Sequence, residues 1–220
     1  MTTLETEKEL NPQEILRHVD HTNLKQTATE ADIRKLCDQG MEHGCASVCI
    51  PPSYVGFAKR YVGSKLAVCT VISFPNGYSS TAAKVVETVD AVIMGADEID
   101  MVINLGWVKD GKLDLIADEI AQVRNACKKQ VLKVIVEACF LTADEKIKMC
   151  EIVTEAGADY IKTSTGFGSG GATLEDVRLF ADHIGEGVKI KAAGGIRDFA
   201  AAAKFLAAGA DRIGASSLIK

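Results

Sequence analysis

Two lysines, one aspartate and three glycine-rich loops offer the most chemistry in this chain. Lys162 interrupts a run of strand-forming residues, Tyr160, Ile161 and Thr163, and the stretch "STGFGSGG" follows at once. Lysine is almost never fully buried unless something pairs with it. A free lysine amine is protonated below about 10.4 and is then no nucleophile. Burial, or a second ammonium nearby, disfavours the charged form. At ~4 Å and an effective dielectric of 20, two like charges repel by ~4 kcal/mol before screening. A neutral amine attacks a carbonyl and forms a Schiff base. The protonated imine draws electrons from the adjacent carbon, so a C–C bond can break or form there without a metal. Lys191 is the candidate second ammonium. Asp100, acting with a water, is the candidate proton shuttle at a substrate hydroxyl. An equally simple reading of the spacing makes Lys162 and Asp100 a structural ion pair and leaves Lys189 and Lys191 as solvated strand-end lysines.

The loops favour the first reading. "AAGGIRD" sets Gly194 and Gly195 after the seventh strand, and "GASS" sets Gly214, Ser216 and Ser217 around the end of the eighth. The "STGFGSGG" loop, with Thr165, joins them. Barrels of parallel strands bind phosphate between the loops after strands seven and eight, where backbone N–H groups face the ligand. Together these residues describe a lysine-dependent enzyme acting on a small phosphorylated carbonyl compound. His18, Asp20 and His21 in "HVDH" lack a third partner for a metal and read as structural or polar lining. Cys49 has no evident base, and Trp107 reads as packing beside the loop after the fourth strand.

The elements that must position these residues alternate. Strands are expected over residues 18–24, 46–50, 66–72, 98–103, 131–137, 160–164, 188–192 and 212–214, and helices over 29–43, 53–62, 79–94, 113–128, 142–156, 173–183 and 198–208. "TEAD" at Thr29 and "TADE" at Thr142 are helix-start signals, and "NPQE" from Asn11 predicts a short extra helix ahead of the first strand. Eight strands alternating with helices predict a single (β/α)8 TIM barrel spanning residues 1–220 as one domain. A weak repeat agrees. "GADEID", "GADYIK" and "GADRIG" begin at Gly95, Gly157 and Gly209, and a diverged copy, "GCASVC", begins at Gly44. Each glycine suits a left-handed helix end. Five positions later stand Cys49, Asp100, Lys162 and Gly214, at one height and on one face of four strands. Strand faces alternate with period two, so Ile99 and Ile161 point outward to helices while Asp100 and Lys162 line the lumen. Lys191 in strand seven, and Lys133 and Glu137 in strand five, follow the same alternation.

Composition narrows the class. The chain has 220 residues, 47% hydrophobic and 25% charged, with a formal net charge of −5. That balance suits a globular fold and argues against a nucleic-acid binder, which needs a basic face. The seven cysteines are odd in number, with no C-x-x-C and no zinc-ligand spacing, which suits a reducing compartment. No secretory h-region and no membrane-length apolar run is visible, so a cytoplasmic protein is expected.

The chain closely resembles the deoxyribose-phosphate aldolase family. The matching segments "VDHTNLK", "ASVCIPP", "VISFPNG", "GADEIDMVINLG", "KVIVEACFL", "DYIKTSTGFGSGGAT", "VKIKAAGGIR" and "RIGASS" run in order through nearly all of it. The resemblance implies a (β/α)8 barrel and reversible cleavage of 2-deoxy-D-ribose 5-phosphate to D-glyceraldehyde 3-phosphate and acetaldehyde, with no metal or organic cofactor. It implies that Lys162 carries the Schiff base, that Lys191 perturbs it and relays protons, and that Asp100 is the acid/base carboxylate. Gly194, Gly195, Ser216 and Ser217 match phosphate-binding segments, and Asp20 and Thr22 match a polar segment near the substrate. A homodimer is common in the family. One departure stands out: some members carry a phosphate-side lysine where this chain has Phe167. Two rival readings on the same scaffold are an acid/base phosphosugar isomerase, which would need Asp100 and Glu137, and a non-catalytic sugar-phosphate sensor.

Overall fold

Gly44, Gly95, Gly157 and Gly209, the repeated glycines, all take positive φ, between 65° and 114°. This left-handed conformation ends a helix and turns the chain into the next strand. The repeat is therefore a structural unit, as its spacing predicts. The computed structural model describes residues 10–219. Its eight strands are β1 (Val19–Thr22), β2 (Ser47–Ile50), β3 (Ala67–Ile72), β4 (Glu98–Val102), β5 (Val131–Ile135), β6 (Tyr160–Lys162), β7 (Lys189–Ala193) and β8 (Arg212–Ala215). All pair in parallel, each with its sequence neighbour, and β8 closes on β1. The (β/α)8 barrel expected from the alternation is the fold observed.

The helices form where their caps predict. Helix α1 (Pro12–Leu16) is capped by Asn11, and α2 (Glu30–His43) and α7 (Ala143–Glu155) carry capping boxes at Thr29 and Thr142. Between them lie α3 (Val55–Val62), α4 (Thr81–Met94) and α6 (Leu113–Ala126); α8 (Leu174–His183) and α9 (Phe199–Ala207) follow. Besides the shorter β1 and β6, two details differ from expectation. A five-residue helix, α5 (Leu105–Lys109), capped by Asn104, follows β4 and contains Trp107, which packs on the core. It is too short to show a helical period in sequence. Strand β5 ends at Ile135 rather than 137, because Glu137 turns to φ 50° and leaves the ladder.

The two faces of the strands separate as period two requires. Ile99, Ile161, Ile190 and Ile213 are buried outside the barrel in the apolar layer shared with the helices. The lumen is different. Barrel interiors are usually filled by branched aliphatic side chains. Here Asp20, Asp100, Lys133 and Lys191 are buried inside it, each no more than 1% exposed. Such charges survive away from water only when paired and hydrogen-bonded.

Candidate active site

The lumen charges sit in two connected tiers. Three residues past each repeat glycine stand Ser47, Glu98, Tyr160 and Arg212, which form the lower tier. Arg212 Nη1 reaches Glu98 Oε2 at 3.1 Å and Asp20 Oδ1 at 2.6 Å, while its Nη2 donates to Tyr160 Oη at 3.4 Å. Ser47 Oγ donates to the same Asp20 oxygen at 2.7 Å. Lys133 Nζ links the tiers, contacting Glu98 Oε2 at 2.6 Å and Asp100 Oδ1 at 2.8 Å. The sequence carried the signal for this lower tier. These four positions lie two before Cys49, Asp100, Lys162 and Gly214, hence on the same strand face.

The upper tier centres on Asp100. Its Oδ2 accepts from Lys162 Nζ at 2.8 Å and from Lys191 Nζ at 2.7 Å. Lys191 also donates to Asp20 Oδ2 at 2.5 Å. Cys69 Sγ donates to Asp100 Oδ1 at 3.2 Å. Gly214 makes room for Lys191, since a Cβ there would stand 3.2 Å from Lys191 Cε. The structure thus brings together Lys162, Lys191 and Asp100 from β6, β7 and β4.

Burial opposes the charges of Lys191, Lys133, Asp100 and Asp20, and their partners overcome it. For Lys191 burial alone would lower the pKa, but the carboxylates of Asp100 and Asp20 hold it above the ordinary lysine range. Lys133 behaves alike, held up by Asp100. Burial would raise Asp100, yet Lys133, Lys162 and Lys191 hold it well below the usual carboxylate range. Asp20 is held low in the same way, against burial, by Lys191, Lys133 and Arg212. Asp100 is therefore held as the carboxylate, the form that can accept a proton. Two sulfur–carboxylate clusters, Cys49–Cys69–Asp100 and Asp20–Cys69–Glu98, have metal-like spacing. The Lys133 ammonium already contacts Asp100, Glu98 and Cys69, so a cation of the protein's own occupies that position.

Above the charges opens a cavity of about 620 Å³ at the C-terminal end of the barrel. Lys162 is the member of the upper tier that reaches it. Thr22, Thr165, Gly194, Gly195, Gly214, Ser216 and Ser217 line it, at or just beyond the C-terminal ends of β1, β6, β7 and β8. Asp20 does not: it lies beneath the cavity with both oxygens engaged by Ser47, Arg212 and Lys191. The Thr165 hydroxyl is likewise occupied, donating to Glu137 Oε2, while the Thr165 N–H donates to Glu137 Oε1 at 3.0 Å. Glu137, expected on the lumen face of strand five, serves instead to hold the β6 loop. The loops after β6 and β7 interlock, with Ala172 N donating to the Ala193 and Gly194 carbonyls at 3.0 and 3.1 Å. A Cβ on Gly171 would stand 2.2 Å from the Gly194 oxygen, so only glycine fits.

Known proteins share this fold and much of this sequence. The chain is 55% identical over 206 residues to the deoxyribose-phosphate aldolase of Clostridioides difficile (strain 630), covering 94% of each. It is 58% identical over 207 residues to that of Streptococcus agalactiae serotype Ia, covering 94% of this chain and 93% of the relative. The tetrameric deoxyribose phosphate aldolase from Aeropyrum pernix superimposes with a TM-score of 0.89 at 30% identity, over 95% of this chain and 90% of that one. Residues 15–220 match the family described as DeoC/LacD family aldolase. By that match and these identities over nearly its whole length, the chain belongs to the DeoC/LacD family of aldolases.

Proposed function

We propose that the chain is a Schiff-base aldolase that reversibly cleaves 2-deoxy-D-ribose 5-phosphate to D-glyceraldehyde 3-phosphate and acetaldehyde. On this reading residues 1–220 form one catalytic domain, working in the cytoplasm. The observation that carries it is the single Asp100 oxygen shared by Lys162 and Lys191 beneath the open cavity.

Lys162 Nζ adds to C1 of the open-chain sugar, and loss of water leaves a protonated imine. Asp100, acting through a water, takes the proton of the C3 hydroxyl, whose electrons form the new carbonyl as the C2–C3 bond breaks. The bonding pair moves into the imine as an enamine, and glyceraldehyde 3-phosphate departs. Protonation at C2 and addition of water at C1 then release acetaldehyde and restore the amine. Lys191, held cationic by two carboxylates, keeps positive charge beside the nitrogen and passes protons to water. Gly194, Gly195, Ser216 and Ser217 offer backbone N–H groups and hydroxyls to the phosphate.

The test is reductive trapping. Borohydride with acetaldehyde or the phosphosugar is expected to leave an ethyl-type or sugar adduct on Lys162, and Lys162→Ala to lose both adduct and acetaldehyde release. Sugar-phosphate binding with neither adduct nor acetaldehyde in the parent protein would replace this reading by the sensor.

A further inference from the structure

The chain as a whole is acidic, with a formal net charge of −5. Its cavity is not. Apart from the nucleophile Lys162, the described residues of ionic type that line it are Lys25 and Lys35 against Asp32 alone. Asp32 is committed to the start of α2, where its Oδ2 accepts from the Thr29 N–H at 2.9 Å and the Thr29 hydroxyl at 2.6 Å. Lys25 and Lys35 make no side-chain hydrogen bond or salt bridge among the described residues, although both feel the Asp32 charge. Two cations without close partners therefore face a cavity in a protein of the opposite sign.

Among the described residues the phosphate wall carries no charge of its own. Gly194, Gly195, Ser216 and Ser217 supply dipoles and hydroxyls, and Lys162 is engaged at the floor. The nearest bulky side chain of the β6 loop is Phe167, which lines the same cavity and packs edge-on against Phe74 at 5.3 Å. A dianion held by neutral donors alone remains uncompensated. Ammonium groups across the mouth attract it as point charges without needing fixed geometry.

We infer that Lys25 and Lys35, on the β1–α2 side of the cavity, are specificity-determining residues that supply the positive charge for the substrate's phosphate. The inference rests on the function proposed above, and it deepens it by naming what distinguishes the phosphorylated sugar from its neutral parent. Both lysines are exposed, so their attraction is screened by salt and acts on binding more than on the bond-breaking step.

The experiment compares kcat/KM for 2-deoxyribose 5-phosphate and for 2-deoxyribose in the parent protein, Lys25→Gln, Lys35→Gln and the double variant. Lys189→Gln is the control, because it removes one exposed positive charge at the opposite end of the barrel. In the double variant the preference for the phosphorylated sugar is expected to fall about tenfold or more, mainly through KM. Inhibition by inorganic phosphate should weaken in parallel, and acetaldehyde trapped on Lys162 should be unchanged. A preference within about twofold of the parent in the double variant overturns the inference, as does an equal fall in Lys189→Gln. Calorimetric titration with inorganic phosphate keeps the two proposals apart. It reads the lysines' contribution even if no aldolase activity is found, and equal affinity in parent and double variant again overturns it.

Discussion

Lys162 and Lys191 donate to one and the same oxygen, Oδ2 of Asp100, at 2.8 and 2.7 Å. They come from adjacent strands whose register pairs their Cα atoms directly. Both nitrogens therefore face the same side of the sheet, within reach of each other's charge. The sharing has a consequence for function: the carboxylate that anchors one amine also fixes the second amine beside it.

Lys191→Met should remove the neighbouring charge while keeping most of the volume. The pH needed for half-maximal borohydride trapping on Lys162 should move upward, and kcat should fall by about 10²–10⁴-fold. A pH profile of the trapped adduct measures this. An unmoved profile with normal kcat would deprive Lys191 of its assigned role.

A second buried ion pair lies outside the barrel and invites the opposite treatment. Lys84 on α4 meets Glu119 on α6 at 2.8 Å with both side chains fully buried, and Lys84 also donates to the Val102 carbonyl at 2.7 Å. Burial lowers the Lys84 pKa and raises that of Glu119, so both charged forms are held at a cost. Lys84→Met alone should destabilise by about 3–5 kcal/mol, because Glu119 is left buried and unpaired. Lys84→Met with Glu119→Leu should recover most of that loss without touching aldol cleavage. Denaturant titration of the single and double variants, read beside the activity, decides it.

Stability should fall with acid in two stages. His21 is 2% exposed, its Nε2 meets Gln39 Oε1 at 3.1 Å, and its Nδ1 has no hydrogen-bond partner among the described residues. Burial holds its pKa below the ordinary 6.5. The unfolded chain then binds a proton that the folded one refuses, so the stability His21 contributes is complete above 6.5 and is lost as pH falls below it. The loss is bounded at about 1.4 kcal/mol per pH unit. His21→Gln should flatten the change in melting temperature between pH 7.5 and pH 5.5 (about one unit on either side of the ordinary value). Asp20 and Asp100, both depressed, contribute stability that is full above about 3.8 and declines below it. A variant whose melting curve follows that of the parent through the upper window would refute the assignment to His21.

The crossing of the β6 and β7 loops should tolerate no side chain. Gly171→Ala drives a Cβ into the Gly194 carbonyl, whereas Gly195, with φ 81°, has nothing within 4 Å of its Cβ position. Gly195→Ala should therefore cost only about 1 kcal/mol of backbone strain. Gly171→Ala should cost more and raise KM for the phosphosugar, since the phosphate wall moves with the loop. Thermal melts and KM values for the two variants give the order.

The sequence by itself determined the barrel, its strand count and the inward face. Gly95, Gly157 and Gly209 mark where strands begin, and period two then assigns Asp100 and Lys162 to the lumen and Ile99 and Ile161 to the helices. That much is local, because helix ends and strand alternation depend on residues only a few positions apart. The sequence also contained the lower tier of Ser47, Glu98, Tyr160 and Arg212, two positions before the upper one, for any reading that carried the alternation back one step. Tertiary structure alone decided who pairs with whom. That Asp100 is shared by three lysines, that Asp20 lies beneath the cavity instead of lining it, and that Glu137 holds Thr165 instead of facing substrate all depend on shear and loop crossings that close only when eight strands meet. Buried charges choose partners by distance in three dimensions, and no spacing along the chain encodes that distance.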